Sequence, residues 1–87
     1  MAKPVNFVDL VIVVSGTPEH VRINIHETLE HAAREALRQS NNTGQAPDDW
    51  ELRTEGGQLL ALEQTPQAAG VGEGQTLFLS PKAGAGG

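Results

Sequence analysis

The residues best placed for chemistry lie at the end of the sequence: Lys82-Ala83-Gly84-Ala85-Gly86-Gly87. After Lys82 no side chain is larger than a methyl group. Nothing there can pack on a core, so residues 81–87 are expected to form a flexible tail. Glycine lacks a Cβ and adopts almost any backbone angle, so Gly86 and Gly87 can thread a channel that a branched residue would block. A carboxylate at Gly87 is a poor electrophile. It must be activated, for example by adenylation with ATP on a partner enzyme, before its acyl group can pass to a nucleophile. The expected reactive segment is therefore Gly84, Ala85, Gly86 and Gly87, with the catalytic work done by other proteins.

The other chemistry-bearing residues point elsewhere. His20, His26 and His31 never stand four apart on one helix face, and no cysteine exists to complete a metal site. They read as surface histidines, and no metal or other cofactor is expected. Gly70-Val71-Gly72-Glu73-Gly74 has the glycines of a phosphate loop. It runs into a strand, however, and lacks the P-loop lysine, so it reads as a turn. Asp48-Asp49 marks a solvated loop. No Ser/His/Asp arrangement is present, and no enzyme activity is expected.

Composition narrows the choices further. Eleven acidic residues against six basic ones give a net charge of −5, which disfavours a phosphate-binding basic face, so no nucleic-acid partner is expected. The longest apolar run, Leu10-Val11-Ile12-Val13-Val14, is far too short to span a bilayer. No signal-peptide pattern opens the chain. The absence of cysteine fits a reducing compartment, and a cytoplasmic protein is expected.

An 87-residue chain can build one domain. Residues 1–6 read as a lead-in, 7–80 as the domain and 81–87 as the tail. In Phe7–Val14, Val8, Leu10, Ile12 and Val14 share one face. Phe7, Asp9, Val11 and Val13 share the other, and Asp9 marks that as the solvent side. Phe7, Val11 and Val13 thereby form an apolar surface, a candidate interaction site. Ser15-Gly16-Thr17-Pro18 reads as a turn. Val21, Ile23 and Ile25 then alternate with His20, Arg22, Asn24 and His26, completing a hairpin.

A helix capped by Thr28 follows, with Leu29, Ala32, Ala33, Ala36 and Leu37 in one apolar stripe. Its left-handed terminus falls to Asn42 or Gly44. Trp50–Thr54 is a third strand and Gln58–Leu62 a fourth, with Glu55-Gly56-Gly57 turning between them. Residues 65–74 read as irregular. Gln75–Ser80 is the last strand, closed by Pro81. The economical assembly is a two-layer α+β roll, one helix packed on a mixed sheet of four to five strands.

That element order, the length and the terminal Gly-Gly together resemble ubiquitin and its β-grasp relatives over residues 7–87. Thr65-Pro66-Gln67-Ala68-Ala69-Gly70-Val71 is similar to the loop before ubiquitin's last strand, and Gln75-Thr76-Leu77-Phe78-Leu79 to that strand. Thr28 takes the place of its helix-capping threonine, and Glu55-Gly56-Gly57-Gln58-Leu59 that of its Gly-containing turn. Trp50-Glu51-Leu52-Arg53-Thr54 and Leu77-Phe78-Leu79-Ser80-Pro81-Lys82-Ala83-Gly84 resemble more closely the bacterial ubiquitin-like modifiers encoded beside their own enzymes. The resemblance implies an activating enzyme, a conjugating enzyme, a deconjugating peptidase and target proteins as partners.

The chain departs from ubiquitin at Glu51, Arg53 and Ser80, which stand where ubiquitin is apolar. It also has only two lysines, Lys3 and Lys82. Size, acidity and Gly-Gly equally fit a β-grasp sulfur carrier, which would form a thiocarboxylate at the same carbon for cofactor biosynthesis.

Overall fold

A computed structural model describes residues 6–42, 44 and 46–82. Eight elements follow in order. Strand β1 is Phe7–Val14 and β2 is Thr17–Asn24. Helix α1 is Leu29–Gln39. A 3-10 turn, Pro47–Asp49, leads into β3, Trp50–Thr54. Strand β4 is Leu59–Leu60, helix α2 is Pro66–Ala69 and β5 is Thr76–Pro81. The five strands form one sheet in the order β2-β1-β5-β3-β4. Only the β1–β5 pairing is parallel; β2, β3 and β4 pair antiparallel with their neighbours. The α+β roll read from the sequence is the observed architecture, with the sheet at its five-stranded limit.

The core lies between α1 and one face of this sheet. Val8, Leu10, Ile12 and Val14 of β1 are buried, and so are Val21, Ile23, Leu52, Leu77 and Leu79. The helix contributes the whole expected stripe, Leu29, Ala32, Ala33, Ala36 and Leu37. Three alanines there let the helix axis approach the sheet closely while the large side chains come from the strands. Ile25 packs at the edge of the same cluster. Glu30 and Arg34 meet at 3.1 Å on the solvent side of the helix, the favourable i,i+4 order.

Several local details differ from the sequence reading. The first turn is only Ser15-Gly16, both at positive φ (48° and 91°), the two-residue geometry that matches the twist of a hairpin. Thr17 and Pro18 therefore belong to β2, which ends at Asn24. Pro18 is tolerated because β2 is an edge strand and needs no donor there. Thr28 stands at the helix N-cap with extended backbone, but its side chain caps nothing. The free Leu29 and Glu30 amides instead donate to the carbonyls of Gln64 and Leu62, at 2.8 and 2.9 Å. A distant loop thus does the work expected of the threonine.

At the other end of α1 the left-handed residue is Asn41 (φ 64°), not Asn42 or Gly44. The Asn41 and Asn42 amides close back onto Arg38 and Leu37 carbonyls, the Schellman pattern. Strand β4 is two residues long and not five. Residues 65–74, irregular by their sequence, contain α2, capped by Thr65, whose hydroxyl accepts from the Ala68 amide at 3.2 Å. Gly70 closes α2 in the left-handed region. Finally, β5 runs through Pro81, and the Lys82 amide donates to the Asp49 carbonyl at 2.9 Å. Strand β5 thus extends one residue past Ser80, the end expected from the sequence, and the chain stays hydrogen-bonded to the body through Lys82. Proline fits at the strand end because antiparallel pairing alternates. Its missing donor faces away from β3, beyond the last β1–β5 pair at Val14 and Leu79.

Candidate functional site

The sequence offers two candidate regions, the C-terminal segment and the outer face of the sheet. The expected reactive segment, Gly84, Ala85, Gly86 and Gly87, lies outside the described residues. Its point of attachment is described. Strand β5 occupies the middle of the sheet between β1 and β3, and the chain passes from it through Lys82, fixed by backbone to Asp49.

The second region is the outer face of the sheet. The strand parity places Phe7, Asp9, Val11 and Val13 opposite the core, as the sequence suggested. Phe7 is 51% exposed, whereas Val11 and Val13 are half-buried. The Arg22 guanidinium lies 5.6 Å from the centre of the Phe7 ring, within cation–π reach. Its Nε sits 3.2 Å from Asp9 Oδ1. Phe7 is therefore flanked by charge, while Val11 and Val13 face the middle of the sheet.

The sheet register adds residues that the sequence reading did not include. Val13 lies beside Pro18 on one side and Phe78 on the other; Arg53 separates Phe78 from Leu59. The row Pro18–Val13–Phe78–Arg53–Leu59 crosses all five strands. Phe78 is 39% and Leu59 54% exposed. Arg53 is held flat by the Gly57 carbonyl at 2.9 Å and by Glu51 at 3.3 Å. Phe78 could have been assigned outward from the alternation Leu77-Phe78-Leu79. Leu59 could not, because its place depends on strand order.

The histidines stand apart. His20 and His26 are exposed, and His31 Nε2 lies 3.5 Å from Glu27 on the surface of α1. Among the described residues no group of three or more His, Cys, Asp or Glu side chains is arranged to hold a metal ion. Gly72 and Gly74 do not form a phosphate cradle. The Gly74 amide donates to the Asp9 carbonyl at 2.7 Å, and the Asp9 amide to Glu73 Oε1 at 3.1 Å. The loop is thus the clasp that aligns β5 with β1. No described helix is long and apolar enough to cross a membrane.

One main helix laid over a sheet with a central parallel β1–β5 pair defines a ubiquitin-like β-grasp fold. Solved structures agree. A de novo design based on ubiquitin superposes with a TM-score of 0.76 at 18% identity, covering 92% of this chain and 94% of the design. The ubiquitin of Caldiarchaeum subterraneum gives 0.71 at 19% identity, covering 87% and 94%. The Arabidopsis thaliana protein At2g32350 gives 0.71 at 15%, covering 92% of each. At these identities the likeness is one of fold.

The chain belongs to the family described as Protein of Unknown function (DUF2604), whose profile matches residues 3–87. A relative from Sinorhizobium fredii, Uncharacterized protein y4jI, is 34% identical over 80 residues. That match covers 92% of this chain and spans 62% of the relative's length.

Proposed function

We propose that this protein is a bacterial ubiquitin-like modifier whose Gly87 carboxylate, encoded or exposed by a peptidase, is joined to target proteins. The observation that carries this reading is a ubiquitin-like body whose central strand runs directly into a segment of glycine and alanine. In the first step a carboxylate oxygen attacks the α-phosphorus of ATP on an activating enzyme, releasing pyrophosphate and leaving an acyl adenylate. A partner nucleophile then takes the acyl group and AMP departs. A conjugating enzyme delivers it to an amine of the target, and a peptidase reverses the bond. The chain itself supplies the substrate carboxylate and a surface for its partners, and it catalyses none of these steps. The outer face, with Phe7, Val11, Val13 and Phe78, is the apolar surface that such enzymes can grip.

Mass spectrometry of cells expressing the full chain tests this. Gly87 should appear joined to lysine side chains of other proteins, and deletion of Gly86 and Gly87 should abolish every adduct while leaving the fold intact. Lysine-linked self-conjugates should disappear when Lys3 and Lys82 are both changed to Arg, leaving only the N-terminal amine for self-linkage, with target conjugates retained. The sulfur-carrier alternative predicts instead a free protein heavier by about 16 Da, sulfur replacing oxygen at the same activated carbonyl. That species, with no cellular protein bearing the C-terminus, refutes the modifier reading.

A further inference from the structure

Where the chain leaves β5, the body carries a cleft of about 250 Å³. Its apolar side is Trp50, Leu52, Leu59, Leu60 and Leu62, and its polar side is Glu30, Asp48, Glu51 and Glu63 against the single cation Lys82. Two features separate this cleft from an ordinary solvated acidic surface. Leu59 is 54% exposed on the two-residue edge strand β4, so the apolar side is open and not merely underlying. Trp50, which lines the cleft and also borders Asn41, Asn42 and Gly44, is only 4% exposed, and its Nε1 donor has no acceptor among the described residues. The carboxylates are not all neutralised. Glu30 is shared with Arg34 and Glu51 with Arg53, neither of which lines the cleft, while Asp48 and Glu63 have no ion-pair partner among the described residues.

We infer that this cleft is the docking site for a basic segment of the partner that handles the C-terminal tail, one that lays leucine-like side chains on Leu59 and Leu62 and its arginine or lysine heads among Asp48, Glu51 and Glu63. The assignment of the segment to that partner rests on the function proposed above; the cleft's preference for cations does not. Charge complementarity selects the occupant: an acidic segment meets four carboxylates, and a neutral one leaves Asp48 and Glu63 uncompensated. Position selects the partner. Lys82, the residue immediately before 83–87, lines the cleft, so the cleft adjoins the point where that segment begins. A basic partner is also the inverse of what an apolar or cationic surface at Glu51 would attract, so charge sorts this protein's partners from those of a modifier with the opposite sign there.

The test uses the full chain and a capped hexapeptide of alternating leucine and arginine, with leucine–glutamine and leucine–glutamate hexapeptides as controls. Binding is followed by amide NMR shifts and by fluorescence of Trp50, the sole tryptophan. The basic peptide should perturb Glu51, Leu59, Leu60, Glu63 and Lys82 in the millimolar range or tighter, and bind more weakly as salt is raised. The double change Glu51→Gln and Glu63→Gln should weaken it roughly fivefold, and Lys82→Gln should tighten it. Equal binding of the glutamine peptide, or shifts centred on Phe7, Val11 and Phe78, overturns the inference. Because the peptide carries no activating chemistry, that result leaves the role of Gly87 to be judged by conjugation alone, and a protein without Gly86 and Gly87 should bind the peptide unchanged.

Discussion

Leu77→Ala removes three carbons from a side chain with no solvent exposure, in the strand that lies at the middle of the sheet. Its backbone neighbours are Ile12 on β1 and Thr54 on β3, and α1 covers the face it occupies. Both flanking strands are tied to others beyond them, so the site cannot collapse to refill the space. Leucine-to-alanine losses span about 2–5 kcal/mol, and the upper half applies where relaxation is blocked, so about 3–4 kcal/mol is expected. A domain of this size holds roughly 4–13 kcal/mol in all, so the variant should melt roughly 12–30 °C lower.

The adjacent residue supplies the control. Phe78 is larger, but it points to the other face and is 39% exposed; Phe78→Ala should cost less than half as much. Trp50, buried against the same core, reports urea unfolding of both variants by fluorescence. A Phe78 variant weaker than the Leu77 variant, or a Leu77 loss under about 1 kcal/mol, refutes the packing argument for β5.

The two threonine caps should separate in the same assay: Thr65→Ala loses a real side-chain bond to Ala68 and about 1 kcal/mol, whereas Thr28→Ala, with no such bond, should fall well below that. Glu35 accepts hydrogen bonds from Arg38 and Gln39 on the helix surface, and the Arg38 bond above all holds its carboxyl below the usual range. Its small contribution is therefore present above the ordinary glutamate range and is lost as pH falls through the lowered value; carboxyl-carbon NMR should place Glu35 below the ordinary glutamate range, and Arg38→Gln should remove most of the depression.

Periodicity made the sheet-and-helix body legible because one buried face forces strict alternation. Val8 through Val14 and the Leu29–Leu37 stripe leave no other parity. Phe7, Val11 and Val13 were likewise legible as an outward face, since Asp9 shares it. What escaped depended on partners distant in sequence. The amides at the start of α1 are satisfied by Leu62 and Gln64, so no local signal tells that Thr28 is idle. Pro18 reads as a turn residue until β2 is known to be an edge. The α2 helix is different, because its signs were present: Thr65 at the cap, Pro66 at the first helical position and Gly70 just past the end. They were masked by the shortness of a four-residue helix. The acidic cleft was invisible, since Glu30, Asp48, Glu51 and Glu63 are scattered until β3 and β4 meet the start of α1.

The parallel pairing of β1 with β5 has a mechanical meaning. Tension applied between the beginning of β1 and the chain beyond Lys82 pulls these neighbouring strands in opposite directions along their length. Val11, Ile12, Val13 and Val14 are registered with Thr76 through Leu79, so their ladder is loaded in shear and its bonds must fail together. Peeling would break them one by one. On its other side β5 is held by five more register positions with β3. Force entering through the chain beyond Lys82 and resisted at the beginning of β1 would therefore load this ladder lengthwise, and the small body would act as a firm handle instead of unravelling first.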